Sequence, residues 1–213
     1  MKKRTVALMG IVCVVVMCFA VSSGVSALAE KSIATLGEYE ITESTLKEYS
    51  ILLSVESNPV NILEKSVEMY ARARIAADDI SGTTYDVRKG LREEFLQREE
   101  ENFDRHYETS MAFCDQLGVT REELVQAVVT SKCDIIVGGQ HLSMILDQYM
   151  EKESAAGRER EYTVEEFAEV YEEYMTARIS DLEFVPLDNE KLQQIASPAS
   201  SLSSESMGDT TDD

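Results

Sequence analysis

Two histidines, His106 and His141, and two cysteines outside the first 29 residues, Cys114 and Cys133, are the side chains in this chain best suited to acid–base, nucleophilic or metal chemistry. A nucleophilic triad would need Ser or Cys beside a histidine that is itself oriented by a carboxylate. His106 stands next to Asp104 and Tyr107, and His141 follows Gly138-Gly139; neither setting marks a base, and both read as ordinary helix residues. Structural zinc would need paired Cys or His at short spacing, which four scattered residues do not supply. Gly138-Gly139 has no Lys-Ser/Thr after it and no clear strand before it, so it reads as a helix break and not as a phosphate cradle. Glu99-Glu100-Glu101 and Glu165-Glu166 read as solvated faces, because no loop of EF-hand spacing accompanies them. No catalytic residue, cofactor site or metal site is expected, and the chain is not expected to be an enzyme.

The cysteines pose a separate question. Of the four in the sequence, Cys13 and Cys18 lie in the first 29 residues. Cys114 falls on an apolar stripe with Phe103, Tyr107 and Leu117, just before a turn at 117–120. In a plain helical hairpin Cys133 would lie about 15 Å of helix rise from it, beyond disulfide reach. A buried free thiol is the expectation for Cys114, with a bridge as the alternative open to an exported protein.

Export is suggested by the start of the chain. Lys2, Lys3 and Arg4 precede an apolar run from Val6 to Val21, and small residues then lead to Ala27-Leu28-Ala29. This order reads as a secretory signal peptide over residues 1–29, placing the rest in a secreted or extracytoplasmic setting. The alternative is an uncleaved anchor, since the run just suffices to cross about 30 Å of hydrocarbon. Membrane association is expected only in that case. Three of the 20 basic residues and none of the 40 acidic ones fall in residues 1–29, leaving 17 against 40, a formal charge of −23. Such a surface repels nucleic acid and anionic membranes.

The elements that would position any site are mostly helical. Residues 32–42 read as a strand, a turn at Gly37 and a second extended piece, with Thr42 placed to cap the following helix. That helix carries Leu46, Tyr49 and Leu53 and should stop near Ser57-Asn58-Pro59. A second helix from Pro59 to about Ile80 carries Leu63, Val67 and Tyr70. After a turn at 81–84, helical spacing runs from about Tyr85 to Leu117, although Gln97–Asn102 shows no apolar face and should be solvated or project. Thr120 with Glu123 forms a capping box, and so does Thr163 with Glu166. A break is expected at Gly138-Gly139 and a loop from Glu151 to Glu161. The last helix places Phe167, Tyr171, Tyr174 and Arg178 on one face, and Leu182–Val185 can close as a short strand. From 188 to 213 the composition turns to Ser, Asp and Thr, which reads as a disordered tail after a domain at 30–187.

These pieces, in this order, resemble a known family. Ile33-Ala34-Thr35-Leu36-Gly37-Glu38-Tyr39-Glu40-Ile41-Thr42, with Leu46 after it, resembles the opening of the SurA N-terminal-like chaperone domain, found also in PrsA foldases. Leu117-Gly118-Val119-Thr120, with Glu122, Glu123 and Leu124, resembles the family's helix start. Phe167, Tyr171, Tyr174, Met175, Arg178 and Ile179 resemble its returning helix. The resemblance implies a mainly α fold with a small N-terminal β element, and an ATP-independent chaperone that cradles unfolded polypeptides. The parvulin domain often fused to this family needs roughly 90 residues of α/β structure and has no room here, so prolyl isomerase activity ranks last. On this reading Leu46, Tyr49, Leu53, Tyr70, Phe167, Tyr171 and Tyr174 are mostly core, with part of their surface forming a shallow peptide-binding cradle. A protein holding one dedicated envelope partner is the alternative.

Overall fold

The computed structural model describes residues 30–54, 61–158 and 161–196. The signal sequence expected at 1–29 lies outside the described residues, as does the tail beyond 196. The described chain forms one compact unit that begins at Lys31. It is mainly helical, with a small antiparallel sheet built from the N-terminal strands and one strand near the C-terminal end. No helix among the described residues is long and apolar enough to cross a membrane.

Strand β1 (Ser32–Leu36) buries Ile33, Ala34 and Leu36 and pairs antiparallel with β2 (Tyr39–Thr42) through Thr35↔Glu40 and Leu36↔Tyr39. Gly37 makes the turn at φ +57°, a left-handed backbone that glycine adopts without steric cost. A Cβ at that position would also lie 2.9 Å from Leu182 Cδ2, and the Gly37 N–H donates to the Glu183 carbonyl at 2.9 Å. The turn is thereby seated against the C-terminal segment, where β3 (Phe184–Pro186) pairs with β1 through Thr35↔Val185. The strand order is β2-β1-β3.

Helix α1 (Glu43–Ser54) starts as expected, with Thr42 Oγ1 accepting the Thr45 N–H at 3.3 Å. Helix α2 spans Ile62–Ile80. The long helix expected over 85–117 is divided. Residues 81–90 form a loop organised by Asp86, whose carboxylate accepts from Arg88 and the Gly82 N–H, and α3 (Leu91–Arg105) begins only after Gly90. At His106, φ −117° ends α3, and α4 (Tyr107–Leu117) starts anew. Nor does the polar middle of α3 project: Phe95, Leu96 and Phe103 pack inward, and Lys132 pairs with the half-buried Glu99.

Helix α5 (Arg121–Ala155) is the spine of the fold. Its capping box at Thr120 and Glu123 is present in both directions, 3.2 and 2.8 Å. At 1.5 Å per residue its 35 residues extend roughly 52 Å, enough to meet α1, α2, α3, α4 and α6 along its length. The break expected at Gly138-Gly139 does not occur. Buried Val137, His141, Met144 and Ile145 hold both sides of the pair, so packing outweighs the weak helix propensity of two glycines. The helix also takes up 151–155 of the expected loop. Helix α6 (Val164–Ser180) opens on the second capping box, Thr163 with Glu166.

The tail expected to be disordered from 188 begins instead with helix α7 (Asn189–Ala196). Leu192 and Ile195, three residues apart on one face, are buried against β1, α1 and α2. Two apolar residues at helical spacing suffice here because both insert into the core cluster of Ile33, Leu36, Ile41 and Leu46. The core has three parts: one around Ile33, Ile41, Leu46 and Leu192, one around Phe103, Cys114, Val125 and Val129, and one around Ala76, Ile80, Val137, Met144 and Ile145.

Candidate functional site

The seven residues expected to form a peptide cradle do not share one surface. Leu46, Tyr49, Leu53 and Tyr70 are buried, so they cannot contact a partner in this conformation; the apolar spacing that nominated them is that of core helices. Phe167, Tyr171 and Tyr174 are half-buried, all on α6. Cys114 is a buried free thiol and Cys133 a half-buried one, and both border the same core region. Burial pushes both thiols up from their ordinary range, away from the reactive thiolate.

Two polar clusters lie where helices cross the spine. At the first, α2, α5 and α6 meet around His141, whose side chain has no solvent exposure. His141 Nε2 lies 3.1 Å from Asp79 Oδ2, and Nδ1 lies 3.1 Å from the Tyr171 hydroxyl. A carboxylate can only accept, so Nε2 carries the proton and Nδ1 accepts from Tyr171. Tyr174 donates to the same Asp79 oxygen at 2.6 Å, and Arg178 Nη1 lies 3.2 Å from Oδ1. Both tyrosine rings meet the imidazole edge-on, at 5.5 and 5.6 Å. Burial holds His141 below the ordinary histidine range, with Asp79 only partly offsetting it, while burial and the bond to Asp79 push Tyr174 up to about 12. Each ring nitrogen is engaged and the ring is enclosed, so this arrangement can clamp three helices and hold a proton in place.

At the second cluster, Tyr49 of α1 donates to Asp134 Oδ2 at 2.8 Å across to α5. Next to it Thr130 donates to Glu48 at 2.5 Å and Arg92 donates to Thr130 at 3.0 Å. Burial, reinforced by the nearby Glu48 carboxylate, pushes Asp134 up to about 6 despite the Tyr49 bond. Among the described residues no group of three or more His, Cys, Asp or Glu is arranged to hold a metal ion.

Accessible apolar surface lies elsewhere. Where α5 ends and α6 begins, the half-buried rings of Tyr149, Tyr162 and Phe167 follow one another. Tyr149 and Tyr162 meet edge-on at 5.6 Å, and Tyr162 stacks on Phe167 at 5.5 Å. Val164 beside them is 79% exposed and Met150 is also exposed. Apart from Phe167, the rings at this tip carry no periodic signal in the sequence, because Tyr149 and Tyr162 belong to different elements and share no helical period. A second apolar stretch, Ile135 and Ile136, faces outward midway along α5, ahead of Gly138 and Gly139, where an added Cβ would meet nothing. No family model, curated protein or solved structure matches the chain.

Proposed function

We propose that this protein is an exported, ATP-independent chaperone-like domain that binds apolar segments of unfolded polypeptides at the α5–α6 tip. The observation that carries the reading is the run of half-exposed rings Tyr149, Tyr162 and Phe167 flanked by exposed Met150 and Val164. Aromatic rings and a thioether offer apolar contact without strict sequence demands, and methionine re-packs against varied shapes. The strand–turn–strand opening over 32–42, followed by a helix carrying Leu46, is in keeping with the resemblance to the SurA N-terminal-like domain. The acidic surface favours polypeptide clients over polyanions.

A dedicated envelope partner is the second reading, favoured by the exposed Ile135 and Ile136 on the open face of α5. The two are separated by one experiment. The purified protein is mixed with a denatured, unrelated client without nucleotide, and aggregation is followed by light scattering. Protection at near-stoichiometric ratio that is lost in Tyr162→Ser with Phe167→Ser, and kept in Ile135→Ser with Ile136→Ser, supports the chaperone reading. No protection, together with a single stoichiometric complex from envelope extracts that the Ile135 and Ile136 changes abolish, supports the partner reading and overturns the first.

A further inference from the structure

Helix α6 is attached to the body in an unusual way. Of its 17 residues only Met175 is buried, with Ile179 packing at the same end. The rest of its inner face touches the α2–α5 seam through Tyr171 and Tyr174, which, with Tyr85 and Leu91 from outside α6, pack against the cluster of Ala76, Ile80, Val137, Met144 and Ile145. Besides these contacts and the Tyr149–Tyr162–Phe167 rings at its start, polar bonds hold that part: the Asp79–His141–Tyr171–Tyr174–Arg178 cluster, and the paired bonds of Arg72 to Glu172 at 3.1 and 2.7 Å. A helix docked by apolar contact alone would be indifferent to mild acid. One docked through an enclosed neutral imidazole is not.

We infer that the segment 164–174 of α6 is an acid-released strap, in which protonation of His141 undoes the three-helix clasp and uncovers the apolar seam between α2 and α5, while α6 stays anchored at Met175 and Ile179. In the closed form the Nδ1 lone pair of His141 receives the Tyr171 hydroxyl hydrogen. A second ring proton occupies that lone pair, makes the Tyr171 hydroxyl turn its hydrogen away to accept instead, and places a cation where no water reaches it. The charged and titratable groups facing the ring are Asp79 from α2, and Tyr171, Tyr174 and Arg178 from α6; its buried neighbours on α5, Val137, Met144 and Ile145, are apolar. Asp79 favours the added proton, whereas burial and the Arg178 charge oppose it more strongly.

Burial and the Arg178 charge hold His141 below its ordinary range when the clasp is closed; both are relieved when α6 lifts while Asp79 stays beside the ring, so the open form binds the extra proton more readily. Closure is strongest at alkaline pH and weakens as the pH falls through the histidine range, by at most about tenfold in the opening ratio per pH unit. The freed segment is too short to remain a stable helix alone, so its amides become open to solvent exchange. This device stands whether or not the protein binds clients.

The test is hydrogen–deuterium exchange of the purified protein at pH 7.5 and 5.0, with labelling times scaled for intrinsic exchange. Protection of 168–174 should fall by about tenfold or more at pH 5.0 while 121–131, in the first half of α5, keeps its protection. His141→Gln, which can still donate to Asp79 and accept from Tyr171 but does not titrate, should abolish the pH response. Unchanged protection of 168–174 in the wild type, or equal loss in 121–131, overturns the inference; so does a folded His141→Gln protein that opens like the wild type. Should His141→Gln fail to fold, the imidazole NMR signal of His141 in the wild type decides. A midpoint coincident with the loss of protection supports the strap, and a signal unmoved down to pH 5.0 overturns it.

Discussion

Asp134 shows how one side chain can cost stability in order to complete a contact. Its carboxylate accepts the Tyr49 hydroxyl between α1 and α5, yet burial pushes it up to about 6 from an ordinary 3.8. The folded protein therefore holds this proton more tightly than the unfolded chain. The destabilisation is fully present above pH 6 and is relieved as the pH falls from 6 towards 3.8. Asn at this position keeps a carbonyl oxygen for Tyr49 and removes the charge. Asp134→Asn is expected to raise stability by about 1–2 kcal/mol at pH 7.5 in urea unfolding, with the gain gone by pH 4. At this scale the sequence disclosed which residues are apolar and periodic, but not which polar ones meet. Tyr49 and Asp134 are 85 positions apart, and Asp79 and Tyr174 are 95 apart. No local period connects such pairs, so the two polar clusters came to light only when the helices were placed.

Elements follow a different logic, since helix starts are local and helix ends are decided by neighbours. Thr42, Thr120 and Thr163 each cap a helix as their sequences foretold, because a side-chain oxygen needs only an amide two or three residues ahead. Gly138-Gly139 and the 188–196 region were misread because tertiary packing decided them. Both glycines have ordinary helical backbone and open space at the Cβ position. Gly138→Ala with Gly139→Ala should accordingly stabilise the protein by about 1 kcal/mol per site, a rise of roughly 2–4 °C in Tm for each. Helix α7 carries the complementary expectation. Leu192→Ala should lower the urea midpoint by the equivalent of about 2–3 kcal/mol, since it empties a buried site between the sheet and α2. A fraying tail would show no change.

For the whole molecule the excess of acidic residues is the dominant property. At −20 over the full sequence, self-repulsion works against the compact state. Pairs such as Arg72–Glu172 offset it only locally, as exposed pairs contribute little. Raising NaCl from 10 to 500 mM shortens the Debye length from about 30 Å to under 5 Å. Tm should rise across that range in differential scanning calorimetry; a fall would show that the ion pairs outweigh the repulsion.

The pairing of β1 with β3 has a consequence in time. The first strand cannot acquire its second neighbour, nor the pocket for Leu192 and Ile195 its contents, until the end of the domain has been made. Roughly 150 residues separate Leu36 from Phe184, or about 8–30 s of synthesis at ~5–20 residues per second. Throughout that interval the nascent N-terminal hairpin presents a free edge and an unfilled apolar face. A chain that emerges amino end first must thus keep its own beginning from mispairing until its last elements arrive.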